Sequence, residues 1–153
     1  MIAYWGDAHG NCRRRFVCGG GQGDPNYEVK STWTASEDVQ LTSLMPHMHL
    51  RGKDFKYTIT YPDGRRKVVL DVPKYDFNWQ LQYGLKDYLT LPEGARIVCI
   101  AHFDNSLNNP SNPDPDKEVR WGNQIWEEMM IGFFTYVVPA NGAVPANASV
   151  AGK

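Results

Sequence analysis

The stretch Phe55-Lys56-Tyr57-Thr58-Ile59-Thr60-Tyr61-Pro62-Asp63-Gly64-Arg65-Arg66-Lys67-Val68-Val69-Leu70-Asp71-Val72 decides the fold. Phe55, Tyr57, Ile59 and Tyr61 fall on one side of an extended chain, and Asp54, Lys56, Thr58 and Thr60 on the other. That period of two belongs to a half-buried strand. Proline then presets one turn dihedral and glycine accepts a positive φ, so Pro62-Asp63-Gly64 reverses the chain into Lys67–Val72 as a hairpin. The cationic run Arg65-Arg66-Lys67 reads as a solvated hairpin edge that discourages strand-to-strand aggregation.

Working outward, the same alternation recurs where Tyr27, Val29 and Trp33 interleave with Glu28, Lys30 and Thr34. Further strands are expected over Val39–Leu50, Trp79–Tyr83, Tyr88–Leu91, Ala95–Asp104 and Met129–Val138, with Pro92-Glu93-Gly94 as a tight turn. The last two strands are apolar at nearly every residue, which predicts central positions covered on both faces. No window carries a long helical stripe. The expectation is an all-β chain, an antiparallel β-sandwich of jelly-roll-like form with about eight strands.

Composition narrows the function. Sixteen basic and seventeen acidic side chains leave a net charge of −1 over 153 residues, so no global field directs the chain to nucleic acid or anionic lipid. No stretch approaches the roughly 20 apolar residues of a membrane span, and no signal-peptide core is visible. Residues 1–24 hold six of the fourteen glycines and the run Arg13-Arg14-Arg15, and read as an irregular leader or a truncated upstream segment. Residues 25–139 make the domain. Residues 140–153 are small, polar and proline-interrupted, and read as a disordered tail.

Cys12, Cys18 and Cys99 form no C-x-x-C pair. Cys12 and Cys18 are either locally paired or two free thiols, and Cys99, inside an apolar strand, is expected to be a buried inert thiol. The long insertion Asp104–Glu118 admits two readings, an oxygen-rich calcium loop or a solvated run of Asx turns; its prolines and spacing do not match an EF-hand, which favours the second. Trp33, Trp79, Trp121 and Trp126 admit an accessory carbohydrate-binding role, although aromatics of a β-sandwich more often fill its core.

His47 and His49 are the informative pair. Residues i and i+2 of a strand leave the same face about 6.7 Å apart, so two imidazoles converge on one ion, as helical spacing would not allow. The stretch Met45-Pro46-His47-Met48-His49-Leu50-Arg51-Gly52-Lys53, followed by Glu127-Glu128-Met129-Met130 ahead of the final apolar strand, resembles the C-terminal domain of the copper type II, ascorbate-dependent monooxygenases, the group of peptidylglycine α-hydroxylating and dopamine β-monooxygenases. Ala101-His102-Phe103-Asp104-Asn105 strengthens the likeness to bacterial relatives of that family.

The resemblance covers Tyr27 to Pro139 and implies a β-sandwich holding one oxygen-activating copper on His47, His49 and Met129, used to hydroxylate a C–H bond of a small-molecule substrate with O2. Two imidazoles beside a soft thioether suit Cu(I). Met130, pointing to the other face of its strand, is the alternative thioether, and a core-filling methionine is the bland reading of either. The family's common disulfide positions fall on Ala101 and Met130; if those strands pair, His102 lies opposite Met129, as a third imidazole or a donor behind the ligands. Glu128 and Asn105 are read as outer groups supporting the ligands.

The resemblance also implies ascorbate or another reductant and an extracytoplasmic location. It further implies a second copper on three histidines of an N-terminal domain. Only His9 and His102 remain here beyond the pair, so that second electron must come from a partner domain or redox partner. The peptide-carboxylate clamp of the family falls on Met45, Ile131 and Phe133, none of them charged, which favours a more apolar substrate. The alternative function is a copper-binding or electron-transfer sandwich with no oxygenase activity of its own.

Overall fold

The computed structural model describes residues 23–139 and the backbone of Ile2–Tyr4. Among these, eight strands run β1 (Ile2–Tyr4), β2 (Tyr27–Thr34), β3 (Val39–Met48), β4 (Gly52–Thr60), β5 (Arg66–Val72), β6 (Tyr83–Leu91), β7 (Arg96–Phe103) and β8 (Met130–Val137). All pair antiparallel, in two four-stranded sheets ordered β1-β8-β3-β6 and β2-β7-β4-β5. β1 pairs β8, β2 pairs β7, β3 pairs β6 and β4 pairs β5. The chain is thus one long hairpin with its bend at Pro62–Gly64, rolled so that its pairs alternate between two sheets, which is the jelly roll. No helix among the described residues is long and apolar enough to cross a membrane.

Alternation builds the core as the sequence predicts. Phe55, Tyr57 and Ile59 of β4 and Ile97, Cys99, Ala101 and Phe103 of β7 face Leu41, Leu44 and Met48 of β3 and Met130 and Phe134 of β8, all buried. Burying these faces is the main favourable term of the fold. Trp33 packs on Phe134 and Tyr136, ring centroids 5.1 and 5.6 Å apart, and so belongs to the core. The sheets touch most closely where Gly132 faces Cys99 and Tyr57, and the Tyr57 hydroxyl donates across the gap to the Phe133 carbonyl at 3.0 Å. Gly64 and Gly94, at φ +86° and +81°, close the two predicted turns. The second of these carries the chain from one sheet to the other.

Several expectations change. Ile2–Tyr4 pairs with Phe134–Tyr136, so the first strand precedes Tyr27; the remaining leader, Cys12, Cys18, His9 and the tail from residue 140 lie outside the described residues. The two strands expected over Trp79–Tyr83 and Tyr88–Leu91 are one, β6, while residues 79–82 belong to the crossing between sheets. β7 is central in its sheet, yet its outer residues Val98, Ile100 and His102 are only half-buried. Cys99 is a free, buried thiol whose pKa burial pushes up. The 104–118 insertion is a run of Asx turns, with Asp104, Asn109, Asn112 and Asp114 each accepting the amide two residues on.

Candidate metal centre

β3 and β8 pair in register Met45↔Phe133, His47↔Ile131 and Met48↔Met130. Because side chains alternate, Met48 and Met130 point into the core, fully buried, and His47 and His49 leave the opposite face. The pairing continues one step beyond the strands, with the His49 amide donating to the Met129 carbonyl at 3.2 Å. Met129 therefore shares the face of Ile131 and Phe133, and Phe133 lies against His47 with ring centroids 6.1 Å apart. The register brings His47, His49 and Met129 together, and it assigns Met130 to the core.

The imidazoles stand edge to face, centroids 5.3 Å apart. His47 Nδ1 lies 2.7 Å from Gln80 Oε1. The Gln80 amide is itself oriented, since its Nε2 donates to the Phe77 carbonyl at 2.8 Å; its oxygen accordingly faces the ring, and His47 Nδ1–H donates. His49 Nδ1 lies 3.1 Å from the Glu127 carbonyl, which can only accept, so this nitrogen donates as well. Both rings are thereby set in the tautomer whose Nε2 carries the lone pair, the arrangement that orients metal-binding histidines. Burial holds the His49 pKa below its ordinary value, against the Glu127 carbonyl bond that works to raise it. Its neutral, ligating form is favoured. Phe77 flanks it at 6.4 Å.

The surrounding motif explains this geometry. β6 pairs with β3 only as far as Leu44, and beyond that point the Tyr75 hydroxyl takes over, accepting the Met48 amide at 2.8 Å and donating to its carbonyl at 2.9 Å. Burial pushes the Tyr75 pKa up to about 12, which keeps the donor proton in place. A side chain at Gly52 would meet Met48 and the Tyr75 ring at 2.8 Å, so this close approach requires glycine. Lys53 Nζ ties the turn to Pro25 O and Asn26 Oδ1. Arg51 is 2% exposed; its Nε donates to Asn112 Oδ1 at 2.8 Å and an Nη to Trp126 O at 2.6 Å. It thereby pins the loop that carries Glu127 and Met129.

Sequence reasoning assigned no role to Arg51 or Gln80. A buried arginine inside His-Leu-Arg-Gly-Lys is a recognisable signal, since arginine is rarely buried unpaired; Gln80, distant in sequence, offers none.

His102 departs from expectation. Its strand, β7, pairs with β2 and β4 and not with β8, so the inferred neighbour of Met129 is instead in the other sheet. Since Ala101 and Phe103 point inward, His102 points out on the far face. There its Nδ1 meets Asp54 Oδ1 at 2.7 Å and its Nε2 meets Glu28 Oε2 at 3.5 Å. Glu128 and Asn105 are both buried but away from the histidine face. The Glu128 charge is felt by Arg51 and Tyr27, and Asn105 joins the loop through its backbone, bonded to Asp24 O and Asn112 Nδ2.

Among the described residues no three His, Cys, Asp or Glu side chains are placed to hold a metal ion, so a centre on this face depends on a methionine as third donor. Two fixed Nε2 lone pairs with a thioether on the same face fit Cu(I) and suit zinc poorly. The positions of the family's carboxylate clamp, Met45, Ile131 and Phe133, share this face and leave it apolar.

No family model matches the chain, and no curated protein does. Among solved structures it is similar to the family 32 carbohydrate-binding module of Streptococcus pneumoniae EndoD, at 10% identity over 87% of this chain and 94% of that one, TM-score 0.44. It is also similar to the infectious bursal disease virus Gt strain structure, at 12% identity over 88% of this chain, TM-score 0.38, spanning 30% of the viral chain.

Proposed function

We propose that the chain is a copper-binding domain of the ascorbate-dependent monooxygenase type, with the metal held by His47, His49 and Met129. The observation that carries this reading is the pair of Nδ1–H donors, each engaged by an oriented acceptor, Gln80 Oε1 and Glu127 O. A histidine on an ordinary wet surface has no need of a fixed tautomer; two on one face, 5.3 Å apart, with a thioether in register beside them, make a ligand set.

When bound, copper supplies one-electron chemistry toward dioxygen, the basis of C–H hydroxylation, with ascorbate or another reductant returning the electrons. The chain's own residues orient the two rings and keep His49 neutral. Phe77 and Phe133 wall the imidazoles with apolar surface that limits water. His47 is half-buried, so the face stays open to a substrate. An extracytoplasmic location and a partner domain or protein supplying the second electron belong to the same reading.

Competition for Cu(I) against a chromogenic chelator tests it. One equivalent bound by wild type and lost in His47→Ala and His49→Ala supports the site, whereas no stoichiometric copper overturns it. Oxygen uptake driven by ascorbate then marks an oxygenase, and reversible copper redox without uptake marks the electron-transfer alternative.

A further inference from the structure

Two tryptophans project beside the histidine pair. Trp79 is 70% and Trp126 53% exposed, and each directly precedes a residue that orients an imidazole, Gln80 for His47 and Glu127 for His49. Both are presented from fixed turns. The Trp79 amide donates to Asp76 O at 3.0 Å and the Asn78 amide to Asp76 Oδ1 at 2.8 Å. Arg51 holds the Trp126 carbonyl, and the Gln124 amide donates to Glu127 Oε2 at 2.9 Å. Holding an indole in water on an ordered backbone leaves apolar surface unburied, and a ligand that covers it pays little ordering entropy.

The side chains around these indoles indicate the kind of ligand. Asn78, Asn123 and Gln124 are exposed neutral amides, each able to donate and to accept. The nearby carboxylates of Asp76 and Glu127 are engaged in the turns themselves. Flat apolar faces rimmed by neutral donor-acceptor groups complement a pyranose ring, whose C–H face stacks on indole while its hydroxyls meet amides. A purely apolar ligand would strip water from the amides without replacing their hydrogen bonds.

We propose that Trp79 and Trp126 bind a neutral oligosaccharide across the His47/His49 face. Its meaning for turnover rests on the copper reading, because the glycan is then the ligand brought to the metal; the binding itself does not require copper. The test titrates the metal-free full chain with cello-, xylo- and chito-oligosaccharides, read by calorimetry and tryptophan fluorescence. A neutral glycan should saturate, and Trp79→Ala and Trp126→Ala should each weaken it by about tenfold or more. Because both indoles are exposed, the variants keep the wild-type unfolding midpoint. His47→Ala should bind glycan like wild type while losing copper, so failure of one reading is distinguishable from failure of the other. Absence of binding to every glycan in the panel overturns the proposal, as does binding that survives the double tryptophan variant. Retention on a phenyl matrix that the tryptophan variants abolish, without glycan binding, overturns it in favour of an apolar ligand.

Discussion

Replacing Arg51 by methionine removes the group that joins the turn after β3 to the loop ahead of β8. The guanidinium is 2% exposed, makes hydrogen bonds of 2.8 and 2.6 Å to Asn112 and Trp126, and lies in the field of Glu128, itself 2% exposed. Each charge-assisted bond contributes about 1.5–3 kcal/mol. Losing one partner of a buried charge pair costs about 3–5 kcal/mol, a range that already contains part of the hydrogen-bond loss. The expected destabilisation is therefore about 3–5 kcal/mol, a large share of the roughly 5–15 kcal/mol that holds a domain folded. Urea unfolding of wild type, Arg51→Met and Arg51→Lys measures it. Lysine should recover less than half, because a point charge cannot serve two acceptors as the planar fork does. Where the variant remains folded, Cu(I) affinity should fall as well, since the Trp126 carbonyl adjoins the Glu127 that orients His49. A loss below about 1 kcal/mol, or full recovery by lysine, refutes the reasoning.

Gln80→Leu removes the acceptor from His47 Nδ1–H and should weaken Cu(I) binding about 10–100-fold with little change in unfolding midpoint; chelator competition checks this, with Gln80→Glu recovering most of the loss. Since His49 is held below its ordinary pKa of 6.5 mainly by burial, the unfolded chain takes up that proton first on acidification. The His49 contribution to stability is thus complete above 6.5 and falls as pH drops through the lower folded value; an NMR titration placing His49 above 6.5 contradicts it. Gly132→Ala drives a methyl into Cys99 and to 3.2 Å from the Tyr57 ring, and should cost about 1–3 kcal/mol. Chemical denaturation should show much of that cost relieved in the Cys99→Ala background.

What the sequence made legible was local. Alternation in Phe55–Tyr61 and the Pro62-Asp63-Gly64 turn produced the β4–β5 hairpin, and period-two spacing placed His47 and His49 on one face. Met129 joined them because β8 pairs antiparallel with β3 in the register the family spacing requires. Non-local pairing was not legible. Opposing residues across a jelly roll are fixed by how the long hairpin rolls, which no local period encodes, so His102 was set against β8 when it pairs across to Glu28 and Asp54. Gln80 meets His47 from 33 residues away, and Tyr75 caps β3 from 27. A three-residue β1 is too short for alternation to reveal.

The central claim is that this face holds copper on two imidazoles and a thioether. X-ray absorption at the copper edge, on the Cu(I)-loaded chain and on Met129→Ala, His47→Ala and His102→Ala, tests it most directly. The account predicts one copper with two imidazole scatterers and one sulfur; the sulfur vanishes in Met129→Ala, an imidazole is lost in His47→Ala, and the spectrum is unchanged in His102→Ala. A copper spectrum without sulfur, or one indifferent to Met129 and His47, would contradict it.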